Sequence, residues 1–300
     1  MSPTKILLAS DGSEEALRAA RTAVELSNEL GAELHLLYVG HMPNVFYEAP
    51  GAMTLDPHLL DRMEGRAEEQ AATRLEEQAR RVREAGGKIS QAHSKIGRPD
   101  VEIVRLAEEL GADLIVVGSR GLGPLRRALM GSVSGSVLHH AHTSVLVARG
   151  QPLSFPARIL VALDGSEEAS AAVRMAVELA DASGSELHVV HVGEMMPVYH
   201  PERHGYLAQY DTIQEEARRV LDEQVERIKA EGTAVAQAHL EMGFPDREIV
   251  ALGEEVGANL IVVGSQGLGG IRRALMGSVS DSVTRHAHCP VLVVRGTHNA

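Results

Sequence analysis

Residues 118–150 read GSRGLGPLRRALMGSVSGSVLHHAHTSVLVARG, and residues 264–296 read GSQGLGGIRRALMGSVSDSVTRHAHCPVLVVRG. Both hold glycines at the spacing G-x2-G-x9-G-S, as Gly118, Gly121, Gly131 and Ser132 and again as Gly264, Gly267, Gly277 and Ser278. Glycine at such points lets backbone N–H groups approach an anion with no side chain in the way. The same glycines also serve ordinary tight turns between a strand and a helix. Two gapless copies imply a duplicated domain and point to one phosphate-binding loop in each.

The front of each copy repeats as well. Residues 6–40 are ILLASDGSEEALRAARTAVELSNELGAELHLLYVG, and residues 159–193 are ILVALDGSEEASAAVRMAVELADASGSELHVVHVG. Front motifs are offset by 153 positions (Asp11 to Asp164) and glycine loops by 146 (Gly118 to Gly264), so the length difference lies in the middle of each copy. Insertions of that kind collect in surface loops. Domains are expected over 1–150 and 158–300, joined by a linker at 151–157 that holds two prolines and no periodicity.

Within a copy, short apolar runs alternate with helical patterns. Lys5–Ser10 reads as a strand ending in Asp-Gly-Ser, a turn that also offers helix N-caps. Ser13–Leu30 reads as a helix stopped by Gly31, Glu33–Val39 as a second strand, and 59–85 as a long charged helix. Residues 88–95 make a more polar strand, and Pro99–Leu110 a helix opening on proline. Asp113–Gly118 is a wholly apolar strand, followed by the glycine loop, a helix over 132–140 and the strand Ser144–Ala148. Alternation of this kind predicts a parallel sheet covered by helices on both faces, doubly wound, with five strands per domain. Ligands bind such sheets at the carboxyl ends of the strands where the winding reverses. An order 3-2-1-4-5 sets Ser10-Asp11-Gly12 and Gly118-Ser119-Arg120-Gly121 at one crevice.

Bulk composition narrows the partners. Three hundred residues fit two domains, each able to bury its own core. With no Trp and few Phe or Tyr, that core must be Val, Leu, Ile, Ala and Met. A net charge of −12 argues against nucleic acid or an anionic membrane as the main partner. One cysteine, Cys289, excludes a disulfide framework within the chain and suits a reducing compartment. No apolar run approaches a membrane span, and MSPTKILLASDG lacks the apolar region of a secretory signal. A cytoplasmic location is expected.

The strand-DGSEEA-helix front, the G-x2-G-x9-G-S loop and the HAHCPVLVVRG ending together resemble the universal stress protein family, over essentially the whole chain as two tandem domains. The loop is neither a Walker A sequence, since no Lys follows the glycines, nor the dinucleotide fingerprint, since it follows the fourth strand. It resembles the loop of the family's ATP-binding branch. The resemblance implies ATP with Mg²⁺ as ligand. It implies that Ala9, Ser10 and Asp11 border the adenosine and that backbone groups of Val39 read the adenine edge. Val117, Gly118, Arg120 and Gly121 then line the ribose and phosphates, while Gly131, Ser132, Val133 and Ser134 take the phosphates. The second copy supplies Ala162, Leu163 and Asp164, then Val192, then Val263, Gly264, Gln266 and Gly267, and finally Gly277, Ser278, Val279 and Ser280. Arg120 is replaced by Gln266 and Pro124 by Gly270, so the first site is expected to bind ATP more tightly.

Several residues admit more than one reading. An Asp before Gly-Ser is a turn former, a helix N-cap or a ligand contact. Arg126-Arg127 and Arg272-Arg273 offset phosphate charge or sit on a solvated helix face. His140-Ala-His142 and His286-Ala-His288 suggest a metal site, but they close a helix, where they are favoured electrostatically, and no Cys or carboxylate stands at ligand spacing. His35 and His188 read as satisfied core or edge residues. Cys289 is Thr143 in the other copy, against a shared nucleophile. Phe46, Tyr47, Tyr199, Tyr206 and Tyr210 lie in the loops after the second strands, as a nucleotide lid or as packing on the long helix.

The expected function is a nucleotide-responsive regulator of stress or growth state with slow or no hydrolysis, because no catalytic group attends the phosphate cradle. An ATP-cleaving adenylyl or phosphoryl transferase and a non-binding structural adaptor are the alternatives. The resemblance further implies an internal pseudo-dimer paired through Ser144–Ala148 and Pro290–Val294, with a homodimer of whole chains possible.

Overall fold

The computed structural model describes residues 3–40, 57–121, 130–155, 157–194, 206–267 and 276–296. By contacts the chain divides into two units, Pro3–Ala141 and 142–300.

In the first unit, β1 (Lys5–Ala9) leads to α1 (Glu14–Leu30), β2 (Glu33–Gly40) and α2 (Pro57–Glu84). β3 (Ile89–Ile96), α3 (Pro99–Leu110), β4 (Leu114–Gly118) and α4 (Ser132–His140) complete it. The strands are parallel in the order β3-β2-β1-β4. Ile6, Leu7, Leu8 and Leu114–Val117 are buried, as strands covered on both faces must be. α1 begins at Ser13, whose side chain caps the helix, and stops at Gly31, where φ of 63° admits glycine without strain.

The second unit opens with β5 (Ser144–Ala148), the last strand of the first repeat. Then follow β6 (Arg158–Leu163), α5 (Glu167–Ser183), β7 (Glu186–Glu194), α6 (Tyr206–Ala230) and β8 (Gln237–Gly243). α7 (Pro245–Glu255), β9 (Leu260–Gly264), α8 (Ser278–His286) and β10 (Val291–Val294) end it. The strands β8-β7-β6-β9-β10 are parallel and reproduce the expected 3-2-1-4-5 order.

β5 joins this unit because it pairs with β10, antiparallel, with Leu146 opposite Leu292 and Val145 opposite Val293. The two closing strands do pair, and the sheet of this unit therefore contains one antiparallel ladder. Arg149, just beyond β5 and buried, donates from one guanidinium nitrogen to the carbonyls of Arg285 (2.8 Å) and Ala287 (2.9 Å) at the end of α8. A cation there satisfies carbonyls that the helix leaves without partners. No helix among the described residues is long and apolar enough to cross a membrane.

Candidate functional site

The Asp-Gly-Ser turns are built identically in the two repeats. Asp11 Oδ1 accepts from Ser13 N at 2.9 Å, and Ser13 Oγ accepts from Ala16 N at 3.1 Å. Asp164, Ser166 and Ala169 repeat those bonds at 2.9 and 3.1 Å. Aspartate thus forms the turn and serine caps the helix. The serine hydroxyls also lie 3.4 Å from the carbonyls of Arg120 and Gln266, tying each turn to the glycine loop of its repeat.

β1 is flanked by β2 and β4, and β6 by β7 and β9, so the turn and the glycine loop of each repeat do meet at one edge of the sheet. The first two loop glycines have local causes. A Cβ at Gly118 would stand 2.8 Å from the carbonyl carbon of Glu15, and one at Gly264 would stand 2.8 Å from that of Glu168. There β4 and β9 run against the first turns of α1 and α5. A Cβ at Gly121 would collide with Asp11 Oδ2, and one at Gly267 would lie 2.5 Å from Asp164 Oδ2. The aspartates are therefore packed on the loops, and their turn-forming and loop-facing oxygens are different atoms.

Beyond the loop, the first intrahelical bonds of α4 and α8 run from Gly135 N to Gly131 O (2.9 Å) and from Asp281 N to Gly277 O (3.0 Å). The N–H groups of residues 132–134 and 278–280 precede those bonds and point out of the helix end. Glycine N-caps provide no side chain to cover them. Ser134 Oγ donates to Ser119 O at 3.0 Å and Ser280 Oγ to Gly264 O at 2.6 Å. Those hydroxyls tie helix to strand, leaving main-chain N–H groups and the exposed Ser132 and Ser278 as donors toward an anion.

In the second repeat these parts enclose a cavity of about 720 Å³. Every residue expected there from the sequence lines it: Ala162, Leu163, Asp164, Val192, Val263, Gly264, Gln266, Gly267, Gly277, Ser278, Val279 and Ser280. Sequence reading missed the rest of the wall, which includes Ile213, Glu216, Ala217 and Val220 of α6, Ile249 of α7 and, above all, His191. His191 is buried, and its Nδ1 lies 2.8 Å from the carbonyl of Leu163, so a neutral ring carries its proton on Nδ1 and offers Nε2 as an acceptor. The signal available in the sequence was the exchange of Tyr38 for His191 next to the predicted valine.

In the first repeat, Asp11, Arg120, Gly121 and Ser132 are exposed; Ala9, Val39, Gly118, Gly131 and Val133 are half-buried; Ser10, Val117 and Ser134 are buried. Ser10 Oγ donates to Gln78 Oε1 at 3.2 Å, and Arg120 pairs with Glu15 at 3.3 Å. Pro124, Arg126, Arg127, Gly270, Arg272, Arg273, Phe46, Tyr47 and Tyr199 lie outside the described residues, as do the side chains of Tyr206 and Tyr210.

The histidines are engaged elsewhere. His140 and His286 each place Nδ1 on the carbonyl four residues earlier, at 2.7 and 2.8 Å, and His288 Nε2 lies 3.1 Å from Ala258 O. His35 and His188 are buried and stack on His93 and His239, each with a ring-to-ring hydrogen bond of 3.1 Å. Burial pushes the Cys289 thiol up to about 12, which keeps it protonated and unreactive at neutral pH.

Residues 3–149 and 157–295 each match the model of the universal stress protein family. The chain is 33% identical over 202 residues to Universal stress protein Rv2005c of Mycobacterium tuberculosis, a match spanning 66% of this chain and 66% of that protein. Universal stress protein YxiE of Bacillus subtilis is 34% identical over 146 residues, which is 46% of this chain and 98% of that one. The crystal structure of a universal stress protein from Archaeoglobus fulgidus superposes with a TM-score of 0.69 at 30% identity, covering 99% of this chain and 98% of that one.

Proposed function

The chain belongs to the universal stress protein family, and on that footing we propose that it is an ATP-binding regulator of stress or growth state. Adenine nucleotide binds at the carboxyl edge of the sheet in each repeat, and its occupancy biases conformation or partner choice. One observation carries this reading: the residues expected from the sequence to hold a nucleotide in the second repeat converge, without exception, on one cavity. The uncapped first turn of α8 supplies N–H donors and the positive end of the helix dipole to a phosphate. The apolar wall from Val190, Val192 and Ile213 suits a purine.

Mg²⁺ fits the donor set. Asp11 and Asp164 each stand at the loop, and Mg²⁺ is held by one or two carboxylates together with phosphate oxygens and water. When bound, the ion neutralises phosphate charge. Slow or absent hydrolysis is part of this reading, since neither glycine loop carries the Lys of a Walker A sequence. The two repeats associate as an internal pseudo-dimer through their closing strands, in a cytoplasmic protein.

The test is to denature freshly purified protein, count and identify the released nucleotide, and record the melting temperature with added ATP and Mg²⁺. Recovered adenine nucleotide, or a melting temperature that rises with ATP, supports the reading. No nucleotide and no shift overturns it in favour of a structural adaptor. Fast, metal-dependent turnover lost in Asp11→Ala overturns it in favour of an ATP-cleaving enzyme.

A further inference from the structure

The two repeats keep the same loop scaffold but differ in the charge around it. The equivalence can be followed along the long helices. A Cβ at Gly40 would meet Ala71 at 3.1 Å, and one at Gly193 would meet Ala217 at 3.2 Å, so α2 and α6 align with an offset of 146. On that alignment Val220, on the cavity wall, stands where the first repeat has Arg74, and Glu216 stands where it has Gln70. Gln266 stands where it has Arg120.

The described wall of the second cavity accordingly contains two carboxylates, Asp164 and Glu216, and no Lys or Arg. Glu216 is drawn to Arg219 at 3.4 Å on the exposed face of α6. The basic side chain that remains on the wall is His191, held by the Leu163 carbonyl. In the first repeat, Arg120 and Arg74 are exposed and held by surface pairs to Glu15 (3.3 Å) and Glu77 (3.0 Å), which are weak and exchange readily for a phosphate partner.

The helix-end donors for one phosphate are retained in both repeats. Arg126-Arg127 and Arg272-Arg273 are common to both repeats, so the difference among the described residues lies at Arg120 and Arg74, which become Gln266 and Val220 in the second. Aspartate and any Mg²⁺ it holds are common to both sites and do not discriminate between them. The chain's charge of −12 makes each additional uncompensated phosphate less favourable.

We propose that the second-repeat cavity selects a purine nucleoside monophosphate over the triphosphate, whereas the first-repeat site selects the triphosphate. This rests on the nucleotide-binding reading above and assigns the phosphate number at each site. His191 Nε2, which makes no hydrogen bond among the described residues, accepts from a ligand hydroxyl or exocyclic amine in the second cavity.

The experiment isolates each site. Gly121→Val drives a side chain into Asp11 and leaves the second site to be read; Gly267→Val does the same to Asp164 and leaves the first. Folding of each variant is checked by circular dichroism. ATP and AMP are titrated calorimetrically with Mg²⁺ present throughout. The expected result is an ATP-over-AMP preference of about tenfold or more at the first site, and AMP binding equal to or tighter than ATP at the second. The double substitution Val220→Arg and Gln266→Arg should restore a preference for ATP at the second site. His191→Phe should weaken AMP there about fivefold and leave the first site unchanged.

If either glycine variant fails to fold, competition on the unmodified chain decides the question. AMP should then displace ATP from one site per chain at low concentration and from the other only at high concentration. An equal ATP-to-AMP ratio at the two sites overturns the assignment while leaving nucleotide binding intact. Failure of the unmodified chain to bind either nucleotide overturns the function proposed above, and this assignment with it.

Discussion

The ends of β1 and β6 are nearly superimposable in their bonding and unlike in what they present to a ligand. Asp11 and Asp164 close the same turn, Ser13 and Ser166 cap the same helix, and Gly118 and Gly264 meet the same backbone atoms. Around that frame Ser10 and Gln78 form a buried polar pair in the first repeat. In the second, Leu163 replaces the serine, and His191 takes the Leu163 carbonyl while bordering an open cavity. After duplication, then, the backbone scaffold stayed fixed because its tolerances are a few tenths of an ångström. The side chains facing the crevice were free to change.

Substitutions at matched positions can break that comparison. The largest effect belongs to Gly264→Val and Gly118→Val, whose branched side chains must displace the first turn of α5 or α1. Each should destabilise the protein by about 3 kcal/mol in chemical denaturation. If one is tolerated and the other is not, the two strand-helix contacts are not equivalent.

Ser13→Ala and Ser166→Ala each remove a helix cap and should cost about 1 kcal/mol, equally in both repeats. A difference beyond about 0.5 kcal/mol in parallel urea melts would show that the bonds to Arg120 O and Gln266 O carry unequal weight.

Arg120→Gln gives the first site the residue of the second. Because the guanidinium is exposed and already paired with Glu15, the expected loss of ATP affinity is about fivefold, and it should fade in high salt.

The smallest effect is titrational. Burial, then the neighbouring imidazole, holds His93 and His239 below the usual histidine range, and burial with Arg158 does the same to His188. A base so depressed binds fewer protons folded than unfolded. Its neutral pairing is intact above the unfolded value near 6.5, and stability falls as the pH drops through that value toward the folded one. Melting temperature should decline between pH 7 and pH 5, and His93→Gln and His239→Gln should each flatten the slope.

Much of the fold was legible because its cues are local. Ser13 before Glu14-Glu15, Gly31 after Leu30 and Pro99 at the opening of α3 mark helix ends by their own backbone chemistry. The wholly apolar LIVV runs mark strands covered on both faces. The glycine-loop half of the site was legible for the same reason. His191, Ile213, Val220 and Ile249 were not, since three elements far apart in sequence must pack before their side chains share a wall.

From residue order alone followed the duplication, the strand-helix rhythm, the strand order and the position of the glycine turns. Each of these follows from residue periodicity and from the special backbone freedom of glycine and proline. Long-range packing alone settles that β5 is held with the second unit through β10, that Ser134 and Ser280 spend their hydroxyls on loop and β-strand carbonyls, and that a histidine borders the second cavity. Those outcomes depend on distances between residues remote in the chain. Packing sets such distances, and no local spacing encodes them.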